Sequence, residues 1–529
     1  MQEPRFVSHN PKYRRLWMFP RNVRKIEPWK VAQGLSFLEP LKGLVWVGNQ
    51  SLQNEFRGKM VSCGMVRDYG PYDPHSGGPR TYEAQLRCLG VVYKTASGGI
   101  DFTIAGEDIC ETGAPLKILQ RQLLHLQYPS PYSLGTQVKI HPEIKVKPLL
   151  FVLKLLKRPE ISWLTAEEMA VPVIYGHNHS CEDYCVEKIL KMRAGASLQD
   201  IIENPAEDLY TPRTAGNTIE SRLEDVLTIA NTCKNYLESC LLIVPVEQPR
   251  GAYVFNQEIE TAYQSALAEA DKYFANPENE ESFQRAFGAW DRSKDIRRAA
   301  PESKGPATLK ESLIKAAFYE YCGTNVVTAV SEPLVSYIIE RIGGPKEEVA
   351  AVIDRLIPRS LDVFETKYLE LSVGGVVSAS EFEQATNNLI NSGLGLEAHW
   401  IGSKRKSRAE KGAFTDILVY SPQKNNCGIV DTKATARYNL PSADYAKMIS
   451  NYIPNYRIVA NQGVNLGFCS YVAGGFADTF SGEAEKIYSA TSTPCSGLKA
   501  VELLKLSKSK KAPEIYWGML CKTGVIRGE

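Results

Sequence analysis

The chain has 529 residues, 43% of them hydrophobic and 23% charged, with 62 Lys and Arg against 60 Asp and Glu for a net charge of +2. That length predicts several domains, and the composition excludes a mostly disordered, collagen-like or coiled-coil chain. The apolar run Leu149-Leu150-Phe151-Val152-Leu153 is far short of the roughly 20 residues a membrane span needs.

Met1-Gln2-Glu3-Pro4-Arg5-Phe6 contains no apolar stretch of the kind a secretory signal uses, so a cytoplasmic protein without a membrane partner is expected. Twelve scattered cysteines without a CxxC pair read as reduced thiols. From Thr366 to Glu529 there are 19 basic and 14 acidic residues, a surplus of five, which leaves −3 for the remainder. The C-terminal third therefore favours an anionic partner.

The N-terminal region opens on a basic, aromatic stretch from Lys12 to Lys30 that includes Arg14, Arg15, Trp17 and Trp29. Arg14 and Arg15 are candidates for phosphate contacts. A solvated edge with the tryptophans tucked into the core is the alternative. Tyr82 to Leu89 predicts a helix that Gly90 stops. Val91-Val92-Tyr93 and Ile100-Asp101-Phe102-Thr103-Ile104 then flank a turn at Ser97-Gly98-Gly99. Helix, glycine stop and two-stranded wing outline a winged helix. The outline recurs with a helix over Leu223–Leu237, then Leu241–Pro245 and Tyr253–Phe255 around Pro249-Arg250-Gly251. The expected divisions are a recognition lobe at 1–204, a second at 205–300, a helical connector at 301–360 and a C-terminal domain at 361–529.

The C-terminal domain carries the chemistry. Ser380 to Ile390 predicts a helix bearing Glu381 and Glu383, and a basic run follows: Lys404, Arg405, Lys406, Arg408, Lys411. Phe414–Tyr420 and Cys427–Ala434 read as strands joined by a turn at Ser421–Asn426. Antiparallel pairing would bring Asp416 beside Asp431. Asp431 and Lys433, two apart on one strand, share a face. Two carboxylates and a lysine suit metal-dependent phosphodiester hydrolysis: the hard oxygens hold Mg²⁺ and the ammonium stabilises developing charge. The basic run would meet the phosphate backbone. An acid two before a lysine also occurs at Glu143-Ile144-Lys145 and Glu365-Thr366-Lys367, so the tripeptide alone decides nothing. A surface hairpin with solvated charges is the competing reading, though Asp431 directly follows the apolar Gly428-Ile429-Val430.

Ile429-Val430-Asp431-Thr432-Lys433-Ala434 followed by Tyr438-Asn439-Leu440-Pro441 resembles the catalytic segment of the FokI cleavage domain, within the PD-(D/E)XK nuclease superfamily. The resemblance extends from about Leu361 to Gly475. It includes Gly402-Ser403-Lys404 and a later strand at Phe468-Cys469-Ser470. It implies an α/β nuclease domain with a mixed central sheet, behind mainly α-helical winged-helix-like lobes. It also implies Asp416 and Asp431 as Mg²⁺ ligands and Lys433 as the catalytic lysine. Glu381 would be the upstream helix glutamate, with Glu383 the alternative on the same helix. Thr415 stands where the family usually has a proline. Leu123 to Pro131 is loosely similar to recognition regions of type IIS enzymes of the AlwI group.

The implied protein is a type IIS restriction endonuclease that binds an asymmetric site in double-stranded DNA and cuts at a fixed distance. Its implied partners are a second copy, met transiently through the cleavage domain, and a cognate methyltransferase. A strand-specific nicking enzyme and a non-catalytic sequence-specific DNA-binding protein are the alternatives. His177-Asn178-His179-Ser180-Cys181 with Cys185 has zinc-ligand residue types, but the spacing of no common zinc motif. Walker A, HExxH and GxSxG patterns are absent.

Overall fold

In a computed structural model of the chain, the described residues are 8–20, 26–62, 65, 77–112, 115–134, 139–212, 216–246, 248–289, 309–401 and 414–526. They form two compact units. One comprises Met1–Ala317 with Ile338–Val352, the other Phe318–Tyr337 with Ile353–Glu529. No helix among the described residues is long and apolar enough to cross a membrane.

The N-terminal unit is mainly helical. Helix Gly77–Cys88 ends before Gly90, whose φ of +69° lies where L side chains are strained. The hairpin β1 (Val92–Lys94) and β2 (Ile100–Phe102) follows in antiparallel register, Val92 opposite Phe102. Helix Ile219–Ser239, capped by the Thr218 hydroxyl, leads into β4 (Ile243–Pro245) and β5 (Ala252–Phe255). Both helix-then-hairpin outlines are therefore present.

The second hairpin is more than a wing. β3 (Leu164–Thr165) pairs with the free edge of β5, so three strands run in the order β3-β5-β4. The expected division at 204 would cut this sheet. A two-residue strand carries no periodic signal, which is why the sequence hides it. The apolar run near residue 150 is helix Pro148–Lys157, buried over Leu149–Leu153.

Part of the expected connector belongs to the C-terminal unit. Asn388 donates to the Thr324 carbonyl at 3.0 Å and to Asn325 Oδ1 at 3.1 Å. The Ser360 hydroxyl donates to the Val327 carbonyl. These bonds tie 318–337 to the helices of the C-terminal unit.

The C-terminal unit is built on a six-stranded mixed sheet. Its strands are β6 (Ala398–Trp400), β7 (Ile417–Tyr420), β8 (Asn426–Thr432), β9 (Asn465–Ala473), β10 (Cys495–Lys499) and β11 (Gly524–Ile526). β6, β7 and β8 are antiparallel neighbours, whereas β8 to β11 run parallel. Both faces are covered, so the central strands are apolar throughout rather than alternating with polar residues. Ile417, Val419 and Val430 enter one core with Phe364, Phe382, Phe468, Leu503 and Tyr516. Leu418, Tyr420, Cys427 and Ile429 enter the other with Tyr471, Phe480, Ile487 and Met448.

One contact pins the central pair of strands. Phe468 on β9 is wholly buried, and its ring lies against the bare Cα of Gly428 on β8. A Cβ there would fall inside the van der Waals envelope of the ring. Gly428→Ala is expected to destabilise the chain by about 1–3 kcal/mol through overpacking. Chemical denaturation of wild type and variant measures this. Equal stability would mean that the ring yields freely.

Candidate active site

The register of β7 and β8 places the carboxylates. Ile417 faces Val430 and Tyr420 faces Cys427. The next position outward sets Asp416 opposite Asp431. Strand alternation puts both on the face that also receives Leu418 and Ile429, and Lys433 shares that face. The end of the hairpin is firmly held. The Thr415 hydroxyl donates across it to the Val430 carbonyl at 2.6 Å, and Ile401 N donates to the Asp416 carbonyl at 2.8 Å. Thr415 thus supplies a cross-strand bond where the family pattern has a proline.

Asp416 and Asp431 are 5% and 3% exposed. Asp416 Oδ2 accepts from the Thr432 backbone N–H at 2.8 Å and from its hydroxyl at 3.1 Å. Asp431 Oδ2 lies 2.8 Å from Lys433 Nζ. Lys433 is also 3.3 Å from Asp444 Oδ2, which accepts a hydrogen bond from Tyr438 at 2.8 Å.

The electrostatics are unbalanced. Burial, then the neighbouring charge of Asp416, pushes Asp431 well above the usual carboxylate range, and Lys433 offsets this only in part. Burial pulls the Lys433 ammonium down, but Asp431, Asp444 and Asp416 outweigh it and raise its pKa. Burial pushes Asp444 up, but Lys433 and the Tyr438 hydroxyl outweigh it and hold its carboxyl below the usual range. The result is a desolvated pair of carboxylates that resists full ionisation on its own. Such a pair accommodates a hard cation, which relieves the repulsion.

Glu381 is mostly exposed on helix Ala379–Asn388, with Lys367 3.9 Å away. Glu383 on the same helix accepts from the Trp400 indole at 3.1 Å. Lys404, Arg405, Lys406 and Arg408 lie outside the described residues.

Arg14 and Arg15 are corrected by their burial, at 4% and 7% exposure. Arg14 donates to the carbonyls of Leu16 and Trp17 at 2.8 and 2.7 Å. Arg15 pairs with Asp208 at 2.5 Å. Their guanidinium groups hold the N-terminal segment together and are not presented to a phosphate backbone. Around His177 to Cys185, the Asn178 side chain accepts from Ser180 N at 2.9 Å and shapes a tight turn. Among the described residues no group of three or more His, Cys, Asp and Glu side chains is arranged to hold a metal ion.

Asp444 was not singled out by sequence reasoning. Nothing in its spacing from Lys433 marks it. Only the return of the chain after Tyr438-Asn439-Leu440-Pro441 brings it to the lysine.

Residues 343–522, about a third of the chain, match the family model of the FokI cleavage domain. No curated protein matches the chain. Among solved structures, that of restriction endonuclease FokI aligns at 11% identity over 98% of this chain and 100% of its own, with a TM-score of 0.27. FokI bound to DNA aligns at 12% identity over 98% and 99%, with a TM-score of 0.28. The BpuJ1 endonuclease binding domain, in complex with pyrene- and phenanthrene-modified DNA, aligns at 14% identity over 53% and 98%, with a TM-score of 0.34. The matched C-terminal region is a FokI-type cleavage domain, and it contains the buried Asp416 and Asp431 and the half-buried Lys433.

The raised pKa of Asp431 has a stability consequence. Between the unfolded and folded values the folded chain keeps a proton that the unfolded chain has lost. Metal-free stability is thus complete below the unfolded pKa and declines as pH rises through the folded one. Asp431→Asn removes that ionisation. In chelator, wild type is expected to lose more thermal stability than the Asn variant between about pH 5 and about pH 8.5. Parallel melting curves across that range would show that Asp431 ionises without strain.

Proposed function

We propose that the chain is a type IIS restriction endonuclease: the N-terminal unit reads an asymmetric sequence in double-stranded DNA and the C-terminal unit hydrolyses phosphodiester bonds at a fixed distance. The observation that carries this reading is the burial of Asp416 beside Asp431, with Lys433 ion-paired to Asp431, inside a FokI-type cleavage domain.

Asp416 and Asp431 would hold Mg²⁺, whose preference for oxygen ligands suits the pair. When bound, Mg²⁺ supplies Lewis acidity and a water of lowered pKa. The remaining chemistry belongs to this chain. The Thr432 amide and hydroxyl fix the direction of Asp416. The Lys433 ammonium stands at the same edge, where it stabilises negative charge growing on the phosphate oxygens. With Asp416 and Asp431 as its carboxylates, the cation would take its remaining ligands from water and phosphate oxygens. The helix-then-hairpin segments of the N-terminal unit suit groove reading.

One such site cuts one strand at a time. Cleavage of both strands therefore favours a transient pairing of two cleavage domains. An enzyme of this kind acts on cytoplasmic DNA and needs a cognate methyltransferase to protect the host's own sites.

Digestion of plasmid DNA with Mg²⁺ or with chelator, followed by run-off sequencing, tests the proposal. Wild type is expected to give ends at a constant offset from one asymmetric sequence, only with Mg²⁺. Asp431→Ala is expected to lose cleavage by a factor of about 10³ or more while keeping its affinity for the same fragments. Tight, specific binding by a wild type that never cuts would make the chain a DNA-binding protein instead.

A further inference from the structure

We propose that Asp444, braced by Tyr438, is a positioning residue that keeps the Lys433 ammonium beside the carboxylate pair; this rests on the nuclease reading and deepens it. Lys433 Nζ lies between two carboxylates, 2.8 Å from Asp431 Oδ2 and 3.3 Å from Asp444 Oδ2. The second comes from helix Ser442–Lys447, which the chain enters after a left-handed turn at Leu440, φ +53°.

Asp444 is built into place. Its backbone N–H donates to the Pro441 carbonyl at 2.9 Å, and its own carbonyl accepts from the Tyr471 hydroxyl of β9 at 3.5 Å. The Tyr438 hydroxyl donates to Oδ2 at 2.8 Å, and Lys447 lies 3.5 Å from Oδ1. The Tyr438 ring also sits 5.7 Å from the Lys433 ammonium. The Asp444 side chain is 18% exposed, so this anchor is sheltered from solvent.

The need for it follows from competition at Asp431. One carboxylate oxygen cannot serve a divalent cation and an ammonium equally. A dication held there repels Lys433, whose flexible stem would carry the charge toward water. Asp444 offers the ammonium a second carboxylate, separate from the pair that would hold the cation. Lys433 then stays at the edge of the pair, where substrate phosphate is expected.

The test is single-turnover cleavage of supercoiled plasmid DNA by the full-length chain across a Mg²⁺ titration. Asp444→Asn is expected to lower the maximal rate about 10- to 100-fold, the usual effect of losing a supporting partner. The Mg²⁺ midpoint and plasmid affinity are expected to stay unchanged. Asp444→Glu should recover part of the rate, and Tyr438→Phe should cost less than the Asn change. In a Lys433→Ala background, Asp444→Asn should have no further effect, because both act through one ammonium.

Three results would overturn the inference: an unchanged rate in Asp444→Asn, the same loss on both lysine backgrounds, or a change confined to the Mg²⁺ midpoint. The last would make Asp444 a metal ligand. A wild type that cleaves nothing defeats the nuclease reading itself. A wild type that cuts no faster than Asp444→Asn removes only this inference. Should the Asn variant not fold, Tyr438→Phe on the two lysine backgrounds makes the same comparison.

Discussion

The antiparallel register between β7 and β8 sets everything at the site. Because side chains alternate along a strand, a slip of one residue would send Asp416 to the opposite face from Asp431 and Lys433. The hairpin guards against that slip at both ends. Ser421 N donates to the Asn426 carbonyl at 2.9 Å at the turn, and Thr415 and Thr432 bond across the open end. Burial on both faces adds a further constraint, since a slip would exchange the members of two packed cores.

Placing two carboxylates at the end of such a hairpin is costly for the fold. Each loses hydration, and each opposes the ionisation of the other. The surrounding structure answers with oriented donors rather than with solvent. Asp416 takes an amide and a hydroxyl from Thr432, and Asp431 takes the ammonium of Lys433. Neither arrangement neutralises the pair. The fold tolerates local instability where a cation and a phosphodiester are proposed to bind, and the flanking cores hold it in place.

The hairpin was legible in the sequence, and with it the approach of Asp416, Asp431 and Lys433, because apolar strands, a polar turn and the position of each aspartate point to one register. The later strand at Phe468-Cys469-Ser470 was legible as well, and it lies within β9. What escaped had tertiary causes. Arg14 and Arg15 belong to a basic, aromatic stretch, and charge alone does not reveal that carbonyls of the same turn and a distant Asp208 enclose them. β3 is too short to leave a periodic trace. Asp444 reaches Lys433 only because the chain reverses at Leu440.

The contact between Gly428 and Phe468 couples two positions forty residues apart in the chain. It sits three residues before Asp431, where the pairing of β8 with β9 is irregular between Cys427 and Gly428. The pair therefore behaves as a single unit of variation. A side chain at 428 costs least where the residue at 468 is smaller than Phe. An aromatic at 468 in turn commits 428 to remain bare. Substitutions at the two positions are therefore expected to be non-additive.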